Sequence, residues 1–207
     1  MKVLLVNGSI HTKGCTYTAL NEAAKVLNDL DIETEIIQFG PTAFQDCIAC
    51  GSCKKTGKCA FDNDCVNETI EKAKTSNGFV FGTPVYYAHP SGRILSFLDR
   101  VFYAGSANFQ HKPGFAIASA RRAGTIASFD VLNKYFTISQ MPIVASTYWN
   151  EVHGSCAEDV LQDLEGMQTV RNAARNMAWL LKCIEAGRKE GITPPEAERQ
   201  ARTNFIR

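Results

Sequence analysis

Four cysteines fall within thirteen residues, Cys47, Cys50, Cys53 and Cys59, at the spacing C-x2-C-x2-C-x5-C. Thiolates are soft ligands, and four at such short intervals are what an iron–sulfur cluster requires. Small residues between them (Ala49, Gly51, Ser52, Gly57) let the backbone curl around a bound group, and Lys54, Lys55 and Lys58 would offset its negative charge. Zinc is the other metal such thiols hold, but the paired-knuckle spacing of structural zinc sites is absent. Cysteines kept only for packing are the third reading. Cys15, Cys65, Cys156 and Cys183 stand apart and read as small packing residues.

Three further segments could bind a ligand. Asn7-Gly8-Ser9-Ile10-His11-Thr12-Lys13-Gly14-Cys15-Thr16 is rich in small and hydroxyl residues and opens a helix. Free backbone N–H groups at that helix start, with the hydroxyls of Ser9, Thr12 and Thr16, could wrap a phosphate; otherwise Gly8-Ser9 is a turn and Thr16 a cap. The glycines fit neither the dinucleotide fingerprint nor the GxxxxGK[ST] loop. Gly82 to Gly92 is stiffened by Pro84 and Pro90 and offers two adjacent tyrosines, Tyr86 and Tyr87, to a planar heterocycle or simply to packing. Ser119-Ala120-Arg121-Arg122 sets two arginines before Gly124-Thr125, aimed at an anion or an electron-rich ring, or only at solvent.

The elements that must position these loops follow from periodicity. Strands are expected at Lys2–Val6, Thr34–Phe39, Gly78–Gly82, Gly114–Ser119 and Pro142–Ser146. Helices are expected at Thr16–Leu30, Val66–Thr75, Ser91–Tyr103, Gly124–Ile138 and Val160–Ile184. Strand and helix alternate five times, with apolar runs in the strands that look buried on both faces. That pattern predicts an α/β fold, a five-stranded parallel sheet with helices on both faces, in the flavodoxin-like order. Ligands bind such sheets outside the carboxyl ends of the strands, where the three loops lie. One domain is expected over residues 1–190, with a C-terminal tail over 191–207 that Pro194-Pro195 keeps from being helical.

The charge is balanced, 22 Lys and Arg against 21 Asp and Glu, so nothing global points to nucleic acid or a membrane surface. The apolar run at Lys2–Val6 is too short for a signal-peptide core or a membrane span, and a cytoplasmic protein is expected.

Taken together, VNGSIHTKGCTYTAL, CIACGSCKKTGKC, FGTPVYYAHPSGRILSFLDR, SARRAGT and YWNEVHG resemble the NAD(P)H-dependent FMN reductase and multimeric flavodoxin group, near its iron–sulfur flavoprotein and azoreductase branches. The resemblance implies that Ser9, His11, Gly14, Cys15 and Thr16 bind the FMN phosphate. Thr83, Pro84, Val85, Tyr86 and Tyr87, with Ser119, Ala120, Arg121 and Arg122, would border the flavin ring. GSIH stands where the group has GSPR, and Cys15 where it has Asn. The resemblance also implies an FMN oxidoreductase that takes electrons from NAD(P)H and passes them to a quinone, an azo or nitro compound, or free flavin. The flavin carries the chemistry, no catalytic side chain is required, and Arg121 or Arg122 would stabilise its reduced, negative form. The alternative is an electron carrier with FMN and a [4Fe–4S] cluster on Cys47, Cys50, Cys53 and Cys59, exchanging with ferredoxin. A zinc-stabilised regulatory module is a third. A homodimer or homotetramer is expected, because Tyr148-Trp149-Asn150 and the tail carry aromatics with no obvious place in one core.

Overall fold

The structure, a computed structural model, describes residues 1–41 and 43–205. The end of the expected tail, Ile206 and Arg207, lies outside the described residues. Five strands form the main sheet: β1 (Lys2–Asn7), β2 (Glu33–Gln38), β3 (Gly78–Tyr86), β5 (Gly114–Ala120) and β6 (Glu151–His153). They run parallel in the order β2-β1-β3-β5-β6, and the two-residue β4 (His89–Pro90) turns back antiparallel on the end of β3. Order 2-1-3-4-5 among the parallel strands is the flavodoxin-like arrangement.

The central strands β1, β3 and β5 are apolar on both faces because each face meets helices. Val3, Leu5, Val80, Phe115 and Ile117 point to one layer, packed under α1 (Cys15–Asp29) and α7 (Leu164–Lys189). Leu4, Val6, Phe79, Phe81 and Ala116 point to the other, under α3 (Val66–Thr75), α4 (Gly92–Gly105) and α5 (Thr125–Ile138). Alternation within each strand thus feeds two separate cores. The second is rich in phenylalanine, with Phe81 stacked on Phe136 at 5.1 Å between centroids.

The last strand is displaced from its expected place. Residues 142–146 make only a bridge from Ile143 to Gly114, and the fifth strand forms at Glu151–His153 against Ala118–Ala120. Pro142 brings no N–H to a ladder, and the Asn176 amide of α7 takes the Ala145 carbonyl at 2.8 Å. The segment is therefore drawn toward α7 and rejoins the sheet later. The expected single helix over 160–184 is also divided. α6 (Ala157–Gln162) ends at Asp163, whose side chain accepts from Gly166 N (3.0 Å) and caps α7. Beyond α7, residues 193–205 have no helix or strand and are exposed.

Candidate functional site

The loop after β1 is shaped by Asn7, which is fully buried at the end of that strand. Its Nδ2 donates to the His11 carbonyl (3.2 Å) and to Gln38 Oε1 (2.8 Å), and its Oδ1 accepts from Ser9 N (3.1 Å). Ser9 Oγ in turn accepts from His11 N at 3.1 Å. The loop closes on Gly14, and α1 begins at Cys15 without a side-chain cap or an acidic residue in its first turn. Intrahelical bonding starts with Thr18 N to Gly14 O. The first amides of α1 thus have no partner within the helix, and its positive end faces the loop.

Gly8 lies where β1, β3 and α4 converge. Its N–H donates to the Gly82 carbonyl at 2.8 Å, and the Ser91 hydroxyl caps α4 while donating to the Gly8 carbonyl. A Cβ at Gly8 would stand 2.8 Å from both the Gly82 oxygen and Ile94 Cβ, neither of which can swing aside. Gly8→Ala is expected to lower stability by about 1–3 kcal/mol through overpacking, read as a lower denaturant midpoint at unchanged slope.

The second loop is a tight hairpin. Thr83 is buried and its hydroxyl accepts from Ser91 N (3.1 Å) while donating to the Pro84 carbonyl (2.9 Å), which fixes the exit of β3. Tyr87 and Ala88 both take left-handed backbone at the turn, φ 50° and 64°. Tyr86 is 45% exposed, and Tyr87 at 99% touches almost nothing. The third loop reaches the second at Gly124, φ 96°, where a Cβ would lie 2.5 Å from Ala88 Cα. Only glycine meets both demands.

These loops meet in a cavity of about 330 Å³ above the sheet. Ser9, His11, Cys15 and Thr16 line it from the first loop, Pro84, Val85 and Tyr86 from the second, and Ser119, Ala120 and Arg121 from the third. Gly154 and Ser155 close it from beyond β6, with Gly154 N bonded to the Ala120 carbonyl at 3.0 Å. Gly14, Thr83, Tyr87 and Arg122 do not line it. No acidic side chain lines it either, so its electrostatics favour an anionic ligand. Thr16 and Ser119 bond to each other through their hydroxyls at 2.7 Å across the floor, and both are buried.

The cysteine loop builds a second, separate cavity of about 230 Å³. Cys47, Cys50, Cys53 and Cys59 all line it, with Phe61 and with Arg100, Tyr103 and Ala104 of α4. Left-handed backbone at Ala49, Gly51 and Gly57 turns the chain around it, and one helical turn, α2 (Cys53–Thr56), carries the third cysteine. Asn67 of α3 pins the far side, accepting from Cys59 N (2.8 Å) and donating to the Cys59 carbonyl (3.0 Å). Among the described residues, no three His, Cys, Asp or Glu side chains converge as ligands of a single ion. Four thiols around one small cavity instead suit a polynuclear cluster, whose ligands stand apart at its corners.

Arg100 is the largest fully buried side chain among the described residues. Burial pulls its pKa down, but hydrogen bonds to Asp64 and Cys59 outweigh that and hold it above its ordinary value. Cys65, next to Asp64, is outside the cavity, and burial pushes its thiol up to about 11. It is a packing residue, as the sequence suggests. Cys156 and Cys183 are exposed, which corrects the same expectation for them.

Residues 1–155 match the NADPH-dependent FMN reductase family, and the chain belongs to it. It is 29% identical over 193 residues to an iron–sulfur flavoprotein of Methanocaldococcus jannaschii, covering 89% of this chain and all of that one. It is 24% identical to an iron–sulfur flavoprotein of Methanosarcina thermophila, covering 91% of this chain and 99% of the relative. Among solved structures it is similar to an NADH:FMN oxidoreductase, EmoB, with a TM-score of 0.63 at 15% identity over 86% of this chain and 89% of that one. An archaeal flavodoxin superposes with a TM-score of 0.60 at 13% identity, over 88% of this chain and 99% of the other. These likenesses establish the flavodoxin-like fold. The protein is a flavin-dependent oxidoreductase of an FMN-binding family. No helix among the described residues is long and apolar enough to cross a membrane.

Proposed function

We propose that this chain is an electron-transfer flavoprotein that holds FMN in the cavity above the sheet and a [4Fe–4S] cluster in the cysteine cavity. The observation that carries the cluster is that all four spaced thiols line one cavity, apart from the flavin loops. Relatives named for iron–sulfur flavoproteins span the same length of chain. FMN supplies the two-electron chemistry with NAD(P)H and the one-electron chemistry with a cluster or a ferredoxin-type partner. The chain's own residues bind and orient. The first amides of α1, with Ser9, His11 and Cys15, receive the phosphate, and Gly14 gives the chain room to enter the helix. Pro84, Val85 and Tyr86 would border one edge of the ring, held in place by Thr83 beneath them, and Ser119, Ala120 and Arg121 the other. The Arg121 guanidinium stabilises negative charge on reduced flavin, and Arg122 and Tyr87, both exposed, meet the second substrate. Thr16 acts through Ser119 as the floor.

A second reading, direct reduction of a quinone, azo or nitro compound or free flavin by NAD(P)H without a cluster, is favoured by the half-exposed Tyr86 at the cavity mouth. It leaves a face over which nicotinamide and acceptor alternate. Residues 1–190 form the FMN-binding domain, with 191–207 as its tail, in a cytoplasmic homodimer or homotetramer. The Tyr148–Trp149 pair, its rings 4.5 Å apart and each about half exposed, supports such association.

Protein purified without oxygen is expected to release FMN on heating and to contain iron and acid-labile sulfide, with a broad brown absorbance under the flavin bands. FAD as the only flavin would overturn the flavin assignment. Flavin bands with less than one iron per chain would leave the direct reductase standing.

A further inference from the structure

The guanidinium of Arg100 has five N–H donors, and each has a partner. Nη1 and Nη2 grip both oxygens of Asp64, Nη1 also donates to the Gln45 carbonyl at 3.1 Å, and Nη2 to the Phe61 carbonyl at 3.2 Å. The fifth, Nε–H, donates to Cys59 Sγ at 3.2 Å. The side chain is wholly buried and the Asp64 side chain nearly so. Four of these bonds tie the two ends of the cysteine loop to α4, which is a structural task. The fifth goes to a thiol that lines the cavity. Hydrogen bonds to ligating sulfur and nearby positive charge both favour the more negative, reduced form of a cluster, and a charged donor in a dry site does so most.

We infer that Arg100 tunes the cysteine cavity, its Nε–H bond to Cys59 raising the reduction potential of a cluster bound there. The inference rests on the cluster reading above. Arg100 touches a ligand and not the reacting partner, so it is a positioning residue.

The test separates the bond to sulfur from the structural bonds. Removing Arg100 alone would strand the Asp64 carboxylate in a buried place, so Asp64→Asn is introduced first. In that background Arg100→Gln keeps an amide N–H where Nε stands, and Arg100→Met keeps the length and removes the donor. Both lose the same four bonds. Each protein is reduced anaerobically with dithionite, which donates one electron per cluster, and the reduced fraction is followed by low-temperature EPR at fixed potentials. The Met variant is expected to show a reduced-to-oxidised ratio roughly tenfold below that of the Gln variant, about 59 mV for a one-electron couple. Ratios within twofold of each other overturn the inference and leave Arg100 a structural residue. If neither double variant retains iron, resonance Raman of the unmodified protein decides. A shift of an Fe–S(Cys) stretch in D2O supports the N–H···S bond, and its absence overturns it. Absence of iron in the unmodified protein would defeat the cluster reading itself, a result distinct from a cluster with an unaltered potential.

Discussion

In protein prepared without oxygen, Cys50→Ser is expected to lose nearly all its iron, from about four per chain to less than one, while keeping its flavin. Cys50 is exposed and has no side-chain hydrogen bond among the described residues, and the left-handed residues Ala49 and Gly51 on either side set its direction. Serine fits the same backbone, so the stability of the cluster-free variant should lie within about 0.5 kcal/mol of that of the cluster-free parent. The hydroxyl is a poor substitute for a thiolate, and a cluster held by three cysteines is left open to solvent and oxidation. Flavin binding should persist because none of the four cysteines lines the other cavity. Iron and sulfide analysis beside the flavin absorbance checks both halves. Equal iron in the variant would mean that Cys50 is not a ligand. Parallel loss of iron and flavin would mean that the loop supports the whole fold.

The second large effect is expected at His11. Its side chain is exposed and lines the cavity proposed for FMN, while its backbone is held by Asn7 and Ser9. His11→Glu places a carboxylate beside the uncapped start of α1, where it repels the phosphate and competes for the same amides. FMN affinity should fall on the order of 30- to 100-fold, about 2–3 kcal/mol, with His11→Gln changed less than about threefold. Riboflavin, which has no phosphate, should bind His11→Glu and the parent chain alike. Fluorescence titrations of apoprotein with both ligands provide the measurement, and equal losses for the two would show that the carboxylate had disturbed the ring site or the fold.

Much of this architecture is legible in the sequence because the three central parallel strands are buried on both faces and so read as largely apolar runs. Lys2–Asn7, Gly78–Phe81 and Gly114–Ser119 are of that kind. The edge strand β6 is not, since Glu-Val-His has one buried residue in three, while the more apolar 142–146 attracts the assignment. Its fate depends on Asn176, over thirty residues away, which no local pattern reveals. The cysteine spacing declares its chemistry, yet the residues that hold the loop do not. Arg100 lies three residues after Phe97 on the buried side of α4, a periodicity that would have flagged it as a charged residue facing inward. Asn67 and Asp64 carry no such signal. Thr16 is a case where type tells only part: it reads as a hydroxyl at a helix start, and it is a buried one that lines the cavity while bonded to Ser119. Gly154 and Ser155 escape notice because they follow a strand that the sequence does not announce.

Helix α4 ties the first loop at one end to the cysteine cavity at the other. The hydroxyl that caps its start is bonded to the Gly8 carbonyl, and its last turns supply Arg100, Tyr103 and Ala104 to the cysteine loop. One residue inserted between these ends would turn everything after it by about 100° and advance it about 1.5 Å, swinging Arg100 away from Cys59. The span from Ser91 to Ala104 is thus locked in length, however freely its outward-facing residues drift. Insertions and deletions have room only in exposed stretches such as the outer part of the cysteine loop and residues 193–205, and it is there that lineages carrying this architecture can diverge in size.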